Sequence, residues 1–281
     1  MIIPEVKAMI LIAENFNSSI PQVHQAMANH DSACLRSLAA RLDGSPAHYL
    51  DVNAGTFPGE EAEQLVSLLQ EIIPVCSKPL VLDSPDPSVV RRAAAWLKNA
   101  GWQAKPADDG LPGLLLNSIT LEDARYHAML DTALGYKAGL VALLMDQQGM
   151  PQGVAERLEI AGKMVSRLTE AGMDPGHIFL DPMVRPVATD DQAGLEALTV
   201  IRKLKESYPQ THVLVGLSNI SFGLPARRYL NRAFLLQAMT AGLDSAILNP
   251  LDSELVALWQ AALTLIGQDE FCLNYLGRFR P

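Results

Sequence analysis

Cysteine is scarce in this chain. Its three residues, Cys34, Cys76 and Cys272, lie far apart with no CxxC spacing, so neither a thiolate zinc site nor a disulfide framework is suggested, and a reducing, cytoplasmic setting is expected. Basic residues are in deficit: 22 Lys and Arg stand against 31 Asp and Glu, a formal charge of −9. That balance argues against nucleic acid as a partner, because phosphate binding relies on a surplus of Lys and Arg at the contact face. Long hydrophobic runs are missing too. The opening MIIPEVKAMILIAEN is interrupted by Glu5 and Lys7, no small-residue cleavage site follows, and no stretch approaches the ~20 apolar residues needed to cross a bilayer. It reads as a first strand, with no membrane association expected. The histidines, His24, His30, His48, His127, His177 and His212, show no HxH or HExxH spacing, and no metal site is expected.

What the chain has in quantity is short apolar runs alternating with segments of helical period. The runs are MILIA (9–13), YLDVN (49–53), LVLD (80–83), LLLN (114–117), GLVALLM (139–145), IFLD (178–181), VLVGLSN (213–219) and SAILN (245–249). Between them, amphipathic helices are predicted over Gln22–Leu42, Glu60–Ile73, Pro87–Ala100, Leu121–Leu134, Val154–Ala171, Gly194–Ser207, Arg228–Ala241 and Ser253–Ile266. Eight strands each followed by a helix, in a chain of 281 residues that is 49% hydrophobic, predict a (β/α)₈ TIM barrel forming one domain over residues 1–281. An open doubly wound sheet is the second choice, and the usual GxGxxG word is absent after every run.

Nearly every run ends in polar groups: Glu14, Asn15 and Asn17; Asp51 and Asn53; Asp83 and Ser84; Asn117 and Ser118; Asp146; Asp181; Ser218 and Asn219; Asn249. In a barrel of parallel strands these ends share the face where active sites lie. Asp, Asn and Ser also serve as helix caps and turn formers, and in DSPDP any of Asp83, Ser84 or Asp86 could cap the helix beginning near Pro87. No tidy helix start follows Asp181 or Asn219. A ring of Asp and Asn without Lys, His or paired cysteines suits a neutral, nitrogen-rich heterocycle, since carboxylates accept from ring N–H and amino groups while carboxamides donate and accept.

The strand-end words LDVNAG, VLDSPD, LLNS, LDPMV and VGLSNIS, with the later LNRAFL, closely resemble in this order the pterin-binding (β/α)₈ methyltransferases that act on methyltetrahydrofolate and a corrinoid protein. AENFN is similar to that family's GE-x-IN opening, with Glu14 and Asn17 retained. The resemblance, from about Met9 to Phe234, implies that Asp181 binds the aminopyrimidine edge of the pterin, that Asp83 and Asn117 complete the ring's hydrogen bonds, and that Asn219 lies near N5. Glu14, Asn17, Asp51, Asn53 and Ser218 join the folate-binding set. Arg227 matches an arginine of the loop after strand seven that contacts folate or the corrinoid partner, with Arg228 one step away. At Phe222 the best-known members carry a glutamine, whereas other folate-binding relatives have phenylalanine in the same word.

Methyl transfer from N5 makes an amine the leaving group, so a hydrogen bond at N5 is required as the C–N bond breaks, and Asn219 is the expected donor. Tetrahydrofolate or methyltetrahydrofolate is then the substrate, and a corrinoid (cobalamin) arrives on a partner protein, since no DxHxxG cobalamin-ligand word occurs. The family also implies a homodimer. SAILNPLD is more similar to relatives that carry methyl from cobalt to tetrahydrofolate. Dihydropteroate synthase shares barrel and pocket, but it would show SRK after strand seven and an arginine ending strand eight, where this chain reads SNI and LNP. A catalytically idle folate-binding protein is the alternative from a different class.

Overall fold

The computed structural model describes residues 9–103, 106 and 110–280. Eight parallel strands close into a barrel in chain order: β1 (Ile10–Asn17), β2 (Tyr49–Asn53), β3 (Leu80–Asp83), β4 (Leu114–Ile119), β5 (Gly139–Leu143), β6 (Ile178–Asp181), β7 (His212–Gly216) and β8 (Ser245–Leu248). The expected TIM barrel is the fold observed. Around it run α1 (Pro21–Ala28), α2 (Ser32–Asp43), α3 (Glu61–Ile72), α4 (Pro87–Asn99), α5 (Asp123–Tyr136), α6 (Gly153–Glu170), α7 (Ala193–Ser207), α8 (Arg227–Thr240), α9 (Ser253–Leu265) and α10 (Leu273–Phe279).

The strands are apolar on both faces because both are covered. One set of alternate residues, including Ile12, Tyr49, Val81, Leu115, Val141, Phe179 and Leu214, fills the barrel interior. The other set, including Leu11, Leu50, Leu82, Leu116, Leu140, Leu180 and Val213, packs beneath the helices. Complete burial of each such side chain contributes roughly 1.5–3 kcal/mol. This period of two decides the site, because a strand whose apolar residues point inward presents its next same-parity residue to the mouth of the barrel.

Two expectations are corrected. The single helix over Gln22–Leu42 is two, α1 and α2, because His30 adopts a left-handed conformation (φ 51°) and Asp31 restarts the chain by accepting from the Cys34 amide at 3.0 Å. The seventh apolar run does not stay extended to Asn219; β7 stops at Gly216 and Leu217–Ser221 winds into a 3₁₀ turn. Helix α10 was not anticipated. The part of the opening strand expected before Met9 lies outside the described residues. Among the described residues no helix is long and apolar enough to cross a membrane.

Candidate active site

Continuing the inward parity of each strand leads directly to the polar residues. Tyr49 precedes Asp51 and Asn53, Val81 precedes Asp83, Leu115 precedes Asn117, and Phe179 precedes Asp181. Asn53, Asp83 and Asn117 are direct register partners across β2, β3 and β4, while Asp181 pairs with Leu143 of β5. Four acidic or amide groups predicted from the sequence therefore line one side of the same mouth, at the C-terminal ends of the strands.

Their hydrogen bonds set their orientation. Asn53 Nδ2 donates to Asp83 Oδ2 at 2.9 Å, and Asn117 Nδ2 lies 3.5 Å from Asp51 Oδ1. Asp181 Oδ1 accepts from the amide of Met183 at 2.7 Å, a turn that holds Met183 at φ 59° and leaves the second oxygen without a hydrogen-bond partner among the described residues. Helix α4 is capped by Asp86, which accepts from the Ser88 amide at 2.8 Å, so Asp83 is free of that duty.

Burial dominates the electrostatics. Asp51, 2% exposed, is raised well above the ordinary carboxylate range by desolvation, then by repulsion from Asp83 and Glu14. Asp83 is pushed up to about 6 by burial and the nearby Glu61 carboxylate, against the lowering effects of Asn53 and Arg125. Asp181 is likewise pushed up to about 6 by burial, partly offset by the Met183 amide. Such groups hold a charge near neutrality only at a cost, which a ligand presenting N–H donors removes.

The other side of the mouth is built by β1 and the turn after β7. Both carboxylate oxygens of Glu14 lie 3.2 Å from Ser218 Oγ, and desolvation raises the Glu14 pKa against the lowering influence of Ser218 and Arg227. Arg227 donates from Nη2 to the Ser218 carbonyl (2.6 Å) and from Nε to Ser221 Oγ (3.0 Å), so its guanidinium braces the turn that carries Asn219. Asn219 is exposed, and among the described residues its side chain makes no hydrogen bond. Its Nδ2 would lie 3.0 Å from a Cβ at position 216, so Gly216 is the space the carboxamide occupies. Asn17 is turned into its own loop, accepting from the Ser19 amide at 2.9 Å.

Sequence reasoning missed two residues that reach the mouth from helices. Arg125 of α5 donates to the Ser118 carbonyl (3.0 Å), Ser118 Oγ (3.2 Å) and the Pro85 carbonyl (2.7 Å), tying the ends of β3 and β4 together beside Asp83. Glu61 begins α3 and has a buried Oε1 without a hydrogen-bond partner among the described residues. A cleft of about 180 Å³ opens behind the β7 turn, lined by Glu14, Ser218, Asn249 and Asp252 together with Arg228 and Arg232 of α8. Arg232 is engaged by Asp252 at 2.7 Å and by Glu254, Arg228 stacks 4.5 Å from the Tyr229 ring, and Asn249 accepts from Asn15 at 2.9 Å.

A barrel mouth lined by inward acids and amides from β2, β3, β4 and β6 offers acceptors and carboxamides to a nitrogen-rich ring, and residues 27–249 match the family of pterin binding enzymes. The chain belongs to that family. It is 32% identical over 276 residues, covering 97% of this chain and 96% of the relative, to a methylcorrinoid:tetrahydrofolate methyltransferase of Eubacterium limosum. It is 28% identical over 277 residues to the methionine synthase of Mycobacterium leprae, covering 92% of this chain but only 22% of that longer protein. Among solved structures, dihydropteroate synthase from Xanthomonas albilineans in complex with 7,8-dihydropteroate superposes with a TM-score of 0.65 at 20% identity, over 93% of this chain and 94% of that one. The Thermus thermophilus dihydropteroate synthase gives 0.61, also at 20% identity, over 94% of this chain and 95% of that one. At that identity the likeness speaks for the fold.

Proposed function

We propose that this protein is a methyltransferase moving a methyl group between N5 of tetrahydrofolate and the cobalt of a corrinoid carried by a separate protein, and that it works from methylcorrinoid toward tetrahydrofolate. The reading is supported by the match along nearly the full length of the Eubacterium limosum enzyme. The observation that carries the chemistry is the unengaged carboxamide of Asn219, held by a braced turn at the rim of a mouth whose far wall is acidic.

In this reading Asp181 and Asp83 accept hydrogen bonds from the aminopyrimidine portion of the pterin, with Asn117 and Asn53 orienting ring and carboxylates. Asp51, beneath them, keeps Asn117 in position. Charge-assisted bonds of this kind contribute roughly 1.5–3 kcal/mol each. Asn219 donates to N5, a preorganised contact that strengthens as charge develops there. Glu14, Ser218 and Arg227 set the position of that donor, and Asn17 shapes the loop above β1. The corrinoid supplies the methyl group to this site from its partner protein. Exposed apolar side chains on α9 and after it, Leu258, Leu265, Phe271 and Leu273, fit a homodimer, and a cytoplasmic setting completes the proposal.

Dihydropteroate synthesis needs cations where a pyrophosphate leaves. Here the turn after β7 offers Ser218 and Asn219, β8 is followed by Asn249, and Arg232 in the adjoining cleft is held by two carboxylates. Incubating the purified protein with tetrahydrofolate and methylcobalamin tests the proposal. Loss of the methylcobalt spectrum with formation of methyltetrahydrofolate supports it. Tight tetrahydrofolate binding without transfer would leave an idle folate-binding protein instead.

A further inference from the structure

Transfer of a methyl group to N5 has a proton problem that Asn219 does not solve. As the N5 lone pair attacks the methyl carbon, the carbon–cobalt bond breaks with its electron pair left on cobalt, a C–N bond forms, and N5 becomes cationic with its own proton still attached. That proton must leave. A carboxamide donates hydrogen bonds but has no useful basicity near neutrality, and the acids on the β3 and β6 side of the mouth are committed to the pyrimidine edge.

We propose, resting on the methyltransferase reading above, that Glu14 takes this proton through the hydroxyl of Ser218 and passes it to water in the cleft behind the β7 turn. Three features support the assignment. Ser218 adjoins Asn219 in sequence on the 3₁₀ turn, and its hydroxyl donates to Glu14, lying 3.2 Å from both carboxylate oxygens. A hydroxyl that is both donor and acceptor can pass a proton by accepting on one side and donating on the other. Glu14 also lines the cleft of about 180 Å³, which is large enough for several waters at about 30 Å³ each. The carboxylate therefore touches the turn on one side and a polar outlet on the other.

The charges facing Glu14 suit a group that must exchange a proton. Asp51 of β2 shares the buried field with it, while Arg227 lowers its pKa from the turn side and desolvation outweighs that influence. Across the cleft stand Arg228 and Arg232 of α8 and Asp252 before α9, with Arg232 and Asp252 paired to each other. The net result is a Glu14 pKa raised above the ordinary carboxylate value, the direction that makes a carboxylate a stronger general base. Microscopic reversibility gives the same carboxyl the opposite duty when methyl leaves folate: it returns a proton to N5 so that a neutral amine departs.

The test is a single-turnover measurement with methylcobalamin and saturating tetrahydrofolate, followed across the acid to neutral range. Saturation removes the contribution of Asp83 and Asp181 to substrate binding and leaves the steps after it. The native enzyme should lose rate as acid protonates Glu14. Glu14→Gln should be about a hundredfold slower on the plateau, the usual scale for a general base, with that acid limb gone. Ser218→Ala, which keeps the carboxylate, should be slowed while retaining the limb. Tetrahydrofolate binding by each variant verifies that the pocket is folded. An unchanged acid limb in Glu14→Gln overturns the role of Glu14 while leaving the methyltransferase reading intact; absence of transfer by the native protein overturns that reading itself.

Discussion

Asn53 and Asp83 face each other across the parallel pair of β2 and β3, and the carboxamide of the first donates to Oδ2 of the second at 2.9 Å. One carboxylate oxygen is thereby fixed, and the other is left for a ligand. At Asp181 a backbone amide does the same work, with Met183 holding Oδ1 at 2.7 Å. Both acids are pushed up to about 6, so folate binding should depend on pH in a way that ordinary surface carboxylates would not produce. In the proposed site each must be ionised to accept from the pterin. Affinity for tetrahydrofolate should hold above about pH 6 and weaken below it, by up to about tenfold per pH unit for each group that must give up its proton. Calorimetric titration at a series of pH values checks this, and an affinity that is flat through that region would remove these two acids from the binding surface.

Replacing Asp181 by Asn should separate stability from binding. A carboxyl whose folded pKa is raised stabilises the fold fully below its unfolded value, near 3.8, and that contribution is lost as pH climbs through about 6. At pH 7 the buried carboxylate is therefore a burden. Asp181→Asn keeps an oxygen for the Met183 amide and removes the charge, so the ligand-free protein should gain on the order of 3 kcal/mol against urea at pH 7. Tetrahydrofolate affinity should fall at the same time. A variant that is less stable than the native protein would contradict the burial argument.

Asn219→Ala should lower single-turnover transfer from methylcobalamin by about 10²–10³, the scale for loss of one preorganised donor. Affinity for tetrahydrofolate should change little, because the pyrimidine edge is gripped elsewhere. Gly216→Ala offers a check on position, since a Cβ there would lie 3.0 Å from the Asn219 Nδ2 and displace the carboxamide without deleting it. Native rates in both variants would move the hydrogen bond at N5 to another residue.

The strands and their polar ends were legible because barrel geometry writes itself into the sequence with a period of two. Val81 and Asp83, or Phe179 and Asp181, share a parity that the interior enforces. What did not show was anything set by irregular backbone or by long reach. The turn at Leu217–Ser221 reads as more strand because Leu217 and Ile220 are buried like strand residues. The break at His30 leaves the helical pattern of its neighbours intact, although Asp31 followed by Ser32 is a cap signal in the sequence. Arg125 and Glu61 come from helices, where an exposed charge and one that bends over the mouth look alike in a sequence. Arg227, expected at the ligand or the partner, is seen bracing its own turn, a role that depends on the 3₁₀ geometry after β7.

Arg125 illustrates what such a residue contributes. Its guanidinium makes three hydrogen bonds to two separate loop ends and lowers the pKa of Asp83 from a distance. Arg125→Gln should weaken tetrahydrofolate binding and shift the acid limb associated with Asp83 to higher pH, because the positive charge that favours the carboxylate is gone. Arg125→Lys restores the charge but cannot span Pro85 and Ser118 together, so it should return the pH limb and only part of the affinity. If lysine rescued both fully, charge alone would explain the residue and the brace would be incidental.

The opposite end of the barrel should answer only to stability. Asp244, just before β8, is 3% exposed and accepts from Lys205 Nζ at 2.7 Å, from the Val213 amide at 2.8 Å and from His212 Nδ1 at 3.2 Å. Burial alone would raise its pKa, and the His212 and Lys205 contacts together hold it below the ordinary value. Its contribution is thus present above the usual carboxylate range and lost as acid protonates it. Asp244→Ala leaves a lysine and a backbone amide without their acceptor inside the floor of the barrel, where breaking a buried pair costs about 3–5 kcal/mol. Urea unfolding at neutral pH should register that loss, partly reduced because Lys205 still reaches the Thr211 carbonyl at 2.9 Å. The fraction that remains folded should bind tetrahydrofolate as the native protein does, since Asp244 lies below the inward layer of Phe179 and Leu214 rather than at the mouth. A large drop in affinity per folded molecule would mean that the floor and the mouth of this barrel are coupled.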